Sequence, residues 1–362
     1  MSRLVYLLIL AGAAVSVAVA AESPAASAQK SPAPTATPSP TTADLINSLA
    51  PADLQTALSQ IKSNFTNPGA VSEPELNRAT LQGLLARQPN GLMILSEHAA
   101  SSPDVPVYSE VLEGHIGYVR VGSLTSANLK TFDRKLAEFG TKKVDEVILD
   151  LRASSQLPAD FAAAAEFAKR FCPKGKTLFI LRKASAHQDH AFDSDRDPSF
   201  KGMIVALTDA DTAGGAEAVA AAVRSQDRAL IIGQPSSGRA AEYSDSPLSG
   251  GRTLRVASSE VIAPDGQAVF PNGITPDLPV QMSLTDKRQI FQLSNEKGMS
   301  PFIYEADRPH LNEAALLAGT NPELDIPDAQ RRAGSKSRQP ARDPVLQRAL
   351  DVLTSLEIYQ KR

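Results

Sequence analysis

Cysteine is nearly absent. Cys172 stands alone in 362 residues, which excludes an intramolecular disulfide. It follows a segment with an apolar stripe and reads as a buried structural thiol rather than a nucleophile. Tryptophan is absent, and no internal repeat is evident. Basic charge is in short supply too. The 37 Lys and Arg against 40 Asp and Glu leave a formal charge of −3 with no basic block, so a nucleic-acid partner is not expected. Histidines number five. His187 and His190 form an HxxH beside aspartates, but without a helix or a third spaced ligand they read as a solvated loop. His98, His115 and His310 are isolated. No metal and no cofactor is expected.

One apolar run is long, and it stands at the start. Arg3 supplies a positive n-region, Leu4–Ala20 an apolar h-region, and small residues at 18–21 a cleavage site. Residues 1–21 therefore read as a signal peptide, for a periplasmic or extracellular protein. A membrane contact is expected only if that segment stays uncleaved. Residues 22–42 are rich in Pro, Ala, Ser and Thr and read as an extended linker.

Helical spacing of Leu and Ile over 43–65 and 76–87, broken at Asn67-Pro68-Gly69, predicts a small helical lobe within 43–105. From 106 to 280 strand and helix alternate. Strands are expected at 107–121 (broken at Glu113-Gly114), 144–151, 176–181, 203–207, 229–232, 252–263 and 267–270. Helices are expected at 127–139, at 159–171 and after Gly214-Gly215, with a polar loop over 183–200. The pattern predicts a layered α/β domain with a largely parallel sheet. Residues 281–343 read as an irregular polar tail. The segment 344–362 reads as a docking helix, with Leu346, Ala349, Leu350, Leu353 and Leu356 on one face.

The most informative stretch is 201–224, KGMIVALTDADTAGGAEAVAAAVR. A buried strand, a tight turn and a helix opening at two glycines aim backbone N–H groups, and whatever side chain sits at the tip, at a ligand. Five stretches in order then resemble the C-terminal processing (tail-specific) serine peptidases: GHIGYVRVGS at 114–123, VILDLR at 147–152, IVALTDADTAGGAE at 204–217, IIGQPSSGR at 231–239 and PDGQAVFPNGITPDLPV at 264–280. Asp343, Leu346, Ala349 and Leu350 resemble the family's closing helix. The resemblance implies an α/β, crotonase/ClpP-like ββα superhelix with a helical N-terminal lobe and a C-terminal docking helix. Residues 88–113 are too few for the PDZ module that the family often carries.

The chemistry the family implies is a serine nucleophile with a lysine base. Counting from Glu217, the nucleophile position is Gly214, the base position Arg239 and a supporting position Tyr243. Glycine has no hydroxyl, and arginine cannot be deprotonated in a protein. The glycine-bearing turn that shapes the family's oxyanion hole is here Ala153-Ser154-Ser155-Gln156. Thr212 is two residues from the tip and reads as a helix N-cap, and Ser236 and Ser237 lack an evident base. Asp150 and Arg152 read as a turn-fixing pair, and Glu217 as favourable at a helix N-terminus. No catalytic residue is expected. Gly214, Gly215 and Arg239 are the candidate ligand-binding set, with Arg239 suited to grip a carboxylate. The leading expectation is an exported, inactive member that binds a peptide, a protein partner or a small ligand in the former cleft. The alternatives are an active serine-type endopeptidase with a non-standard nucleophile, and a structural or assembly protein of the envelope. The sequence leaves the oligomeric state open.

Overall fold

The computed structural model describes residues 41–96, 104–155, 157–226, 229–303 and 341–360. The signal peptide, nearly all of the linker, His98 and His310 lie outside them. The chain divides into two units, residues 1–75 and 76–362.

In the first unit, α1 (Thr42–Asn47) and α2 (Pro51–Asn64) follow in order, and α3 (Glu73–Arg87) begins. No residue of these helices is buried. Leu54, Leu58, Ile61 and Phe65, spaced along one face of α2 and its cap, are all exposed.

The second unit opens with β1 (Leu92–Ser96), inside the segment expected to be purely helical. It pairs with a strand some 160 residues later, a non-local contact that local pattern does not reveal. Then come β2 (Tyr108–Leu112), β3 (Ile116–Arg120), α4 (Ser126–Thr141), β4 (Glu146–Asp150), α5 (Phe161–Ala168), β5 (Thr177–Lys183), β6 (Gln188–Asp193), β7 (Met203–Thr208), α6 (Gly215–Arg224) and β8 (Ala229–Gly233). The order closes with β9 (Ala241–Leu248), β10 (Arg252–Ile262), β11 (Leu278–Pro279), α7 (Leu284–Lys297) and α8 (Pro344–Gln360).

The central sheet runs β11-β8-β7-β4-β3-β2, parallel except for the β2–β3 hairpin. Strands β3 and β4 are buried along their whole length, as expected when helices cover both faces. Alternation along β4 assigns each face. Val147 and Leu149 pack with Phe132, Phe167 and Val219 from α4, α5 and α6. Ile148 packs with Ile290 of α7 and with Leu346, Leu350 and Leu353 of α8. The apolar stripe expected of the final helix is this contact, with Leu356 only partly buried. A second, antiparallel sheet runs β1-β10-β5-β6, with β9 also on β10. The mixed α/β architecture expected from the alternation is thus present.

Three local expectations are corrected. The polar loop at 183–200 contains β6, an exposed strand held by its backbone pairing to β5. The polar stretch 241–248, for which no element was expected, is β9, held in the same way by β10. The tail from 281 is not irregular throughout, because α7 spans Leu284–Lys297 and its buried face is Lys287, Ile290 and Ser294. A face with one apolar residue in three carries almost no hydrophobic periodicity. At 267–270 there is a turn with a single bridge, Ile262 to Ala268, rather than a strand.

Candidate functional site

The parallel strands β4 and β7 end side by side, where α/β sheets place their sites. After Thr208 the chain turns through 209–214 and enters α6. Gly214 at the tip has φ +58° and ψ −115°, a conformation that an L side chain enters only under strain. The strand–turn–helix elbow expected from the sequence is therefore present, with glycine at its apex.

Glu217, one turn into α6, holds this apex from beneath. It is fully buried. Its Oε2 accepts from the Gly214 N–H at 2.9 Å and the Arg239 N–H at 2.8 Å. Its Oε1 accepts from Ser236 Oγ and the Gly238 N–H, both at 2.6 Å. One carboxylate oxygen thus brings the nitrogens of Gly214 and Arg239 within about 6 Å of each other. Burial raises the Glu217 pKa above its ordinary value, against the pull of the hydrogen bonds from Ser236, Gly238, Gly214 and Arg239. The dipole accounts for only part of this residue; its larger role is to tie the elbow to the 236–239 loop.

Thr212 is not the helix cap. Gly214 occupies that position, and Thr212 instead donates to the Leu151 carbonyl at 3.2 Å and accepts from the Asp209 N–H at 3.1 Å. The Ser236 and Ser237 hydroxyls are engaged as well. Ser236 also accepts from the Ile274 N–H at 2.7 Å, and Ser237 Oγ lies 3.4 Å from Glu217 Oε2. Among the described residues none of the three has a histidine or lysine within hydrogen-bond distance.

Arg239 is half-buried. Its positive charge acts on Tyr243, and among the described residues its guanidinium makes no ion pair. Tyr243 donates to the Asn90 carbonyl at 2.9 Å, and burial pushes its hydroxyl up to about 12.

Beneath the elbow lies an ionic network. Arg152 pairs with Asp150 at 2.7 Å and with Asp343 at 2.8 Å, all three fully buried. Tyr118 donates to Asp150 at 2.7 Å. Burial alone would raise the Asp150 pKa, but the Arg152 charge and the hydrogen bonds of Arg152 and Tyr118 hold it below the usual value. Asp343 also accepts from the Val345 and Leu346 N–H groups, capping α8. Asp150 and Arg152 are thus the turn-fixing pair expected, enlarged by a third member.

Lys287, which sequence reasoning missed, reaches in from α7. It is 2 % exposed and donates to the Arg152 carbonyl at 2.9 Å, Asp209 at 2.6 Å and Asp211 at 2.8 Å. It clamps the turn after β4 to the turn after β7. Its only sequence signal was a lysine in a polar segment.

On the other side of the elbow a recess of about 10 Å³ is bounded by Gly122, Leu124, Ser154, Asp160, Ala213 and Gly215, among others. Arg239 does not line it. A Cβ on Gly215 would lie 2.9 Å from Leu124 Cδ1. A wider groove of about 820 Å³ shares Ala159 and Asp160 with it. His190 lines that groove with its ring edge-on to Phe192 at 4.6 Å. His115 sits elsewhere, 3.3 Å from Glu357. Cys172 is buried, its thiol pushed up to about 12 by burial.

A parallel α/β core with a strand–turn–helix elbow at its strand ends is an architecture that hydrolases also use. Comparison with known proteins is in accord. Residues 115–280 match peptidase family S41. It is 28 % identical over 181 residues to the carboxy-terminal-processing protease of Bartonella bacilliformis, covering 49 % of this chain and 41 % of that one. It is 23 % identical over 209 residues to carboxy-terminal processing protease CtpA of Bacillus subtilis, covering 58 % and 42 %. The chain thus spans about two-fifths of the length of these relatives. Among solved structures, a putative peptidase from Parabacteroides merdae aligns with TM-score 0.49 at 15 % identity, covering 67 % of this chain and 85 % of that one. The photosystem II D1 C-terminal processing protease aligns with TM-score 0.41 at 21 % identity, covering 52 % and 47 %.

Proposed function

We propose that the protein is an exported, non-catalytic member of the S41 peptidases that holds a polypeptide segment, a partner or a small ligand in the former active-site cleft. The observation that carries this reading is the elbow. Its apex is Gly214, which has no hydroxyl, and the neighbouring base position is Arg239, which cannot lose its proton. Peptide hydrolysis by this family type needs a nucleophile and a base in contact. The hydroxyls of Thr212, Ser236 and Ser237 are committed to structural bonds.

The test is hydrolysis of unfolded casein by the purified full chain, with Gly214→Ala and Gly214→Ser/Arg239→Lys beside it. The expected result is no cleavage by the wild type. Cleavage that survives Gly214→Ala would overturn the reading and turn attention to Ser236 and its 2.6 Å contact with Glu217. Export is checked by fractionating cells that express the full chain, with and without residues 1–21.

The exposed apolar face of α2 favours a second reading, an assembly protein of the envelope. Sedimentation of the full chain against Leu58→Ser/Ile61→Ser tests it. A sedimentation coefficient unchanged by the substitutions counts against assembly through this face.

A further inference from the structure

The hairpin between β2 and β3 turns through Glu113 (φ +49°) and Gly114 (φ +79°), two successive left-handed residues that make a tight connection. The turn presents His115 beside the far end of α8, where its Nε2 lies 3.3 Å from Glu357 Oε2. The other ring nitrogen, Nδ1, lies 2.9 Å from the Glu113 carbonyl oxygen. A carbonyl only accepts, so this contact holds a proton on Nδ1.

In the neutral ring Nε2 is then a bare lone pair turned toward a carboxylate. It is buried and makes no hydrogen bond, an orphan that in a native fold asks for an explanation. A second proton supplies one. The imidazolium donates from both nitrogens, to the Glu113 carbonyl on one side and to Glu357 on the other. The two side chains are 36 % and 31 % exposed, so protons from the surroundings reach them.

The helix end has a use for that charge. Buried Leu346, Ala349, Leu350 and Leu353 anchor the first part of α8, and Asp343 caps its N-terminus. From Thr354 to Glu357 no side chain is buried, and the last turn carries no basic residue. A helix C-terminus is stabilised by a nearby cation and burdened by an anion. Glu357 is such an anion, and His115 is placed to be the cation. Neighbouring elements add two more carboxylates at this end. They are Glu113 in the turn itself and Glu146 of β4, which stands opposite Ile116 on the sheet face that α8 covers.

We propose that His115 and Glu357 form a protonation-dependent clasp on the end of α8, closed while the imidazole is charged and open when it is neutral. The sign follows from the contacts. The clasp needs a charged ring and an ionised carboxylate, so it closes in mildly acidic surroundings and opens toward alkaline ones. Opening releases the helix from about Thr354 onward. The Arg152–Asp343 pair at its other end is untouched, so the device governs whether the end of the chain is docked or offered to solvent. It operates whether the cleft binds or cuts.

The experiment is hydrogen exchange of the full chain, read by mass spectrometry at about pH 5.5 and about pH 8, with exchange times scaled to the intrinsic rate at each pH. Amides of 354–360 should be about fivefold more protected at the lower pH, the worth of a partly exposed ion pair together with a helix-end charge. Amides of 345–350 should be equally protected at both and report that the fold is intact. His115→Lys, charged throughout, should keep the high protection at both pH values. His115→Gln and Glu357→Gln should each abolish the difference. Equal protection of 354–360 at the two pH values in the wild type, or a difference that survives Glu357→Gln, overturns the proposal.

Discussion

Glu217 should be the most consequential single carboxylate in the cleft, and its removal can be reckoned from its bonds. Glu217→Ala leaves the N–H groups of Gly214, Gly238 and Arg239 without an acceptor, together with the Ser236 hydroxyl. Each buried unmade donor costs about 1–3 kcal/mol. Relief of the desolvated charge offsets part of this, since burial is the largest influence on this group. The net loss should be about 4 kcal/mol, a large fraction of the ~5–15 kcal/mol that holds a typical domain together. Glu217→Gln should cost less, about 2 kcal/mol. Its amide oxygen can still serve Gly214 and Arg239, and Ser236 can turn to accept from the amide N–H, leaving mainly Gly238 unpaired. The assay is urea unfolding of the full chain followed by near-ultraviolet circular dichroism. The pH dependence adds a signed check. A folded pKa raised above the unfolded one means that the native state binds more protons. Glu217 therefore contributes most below its unfolded value, and that contribution declines as pH rises through the folded value. The advantage of wild type over Glu217→Gln should shrink as pH rises from about 4 toward neutrality. A Glu217→Ala chain within 1 kcal/mol of wild type, or an advantage that grows with pH, would refute this account.

Two further substitutions probe the frame of the cleft. Gly214→Ala places a Cβ on a residue at φ +58° and should destabilise the fold by about 1–3 kcal/mol; an unchanged denaturation midpoint would show that the apex tolerates side chains without strain. Lys287→Met strands the buried Asp209 and the Arg152 carbonyl, leaves Asp211 only its Arg288 partner, and should cost about 3 kcal/mol. Loss of less than 1 kcal/mol would show that the clamp is not structural.

What the sequence made legible follows how locally each feature is encoded. The buried parallel strands announce themselves as short apolar runs, and the elbow as two glycines between one such run and an alanine-rich helix. Both are contiguous, so the elbow and the glycine at its apex, Gly214, were readable. Strands β6 and β9 were not, because their order comes from pairing with β5 and β10 rather than from their own polar residues. Lys287 shows the limit most clearly. A buried lysine has no periodic signature, and its three acceptors come from positions 76 to 135 residues away. Glu217 was read as a helix-end charge because only its own helix was in view; three of its donors belong to a loop some 20 residues on. Ser154 is the converse case. The sequence showed only that a glycine-bearing turn had been replaced, which suggested a ruined recess. Folded, the turn buries Ser154 on the border of the same recess as Gly215.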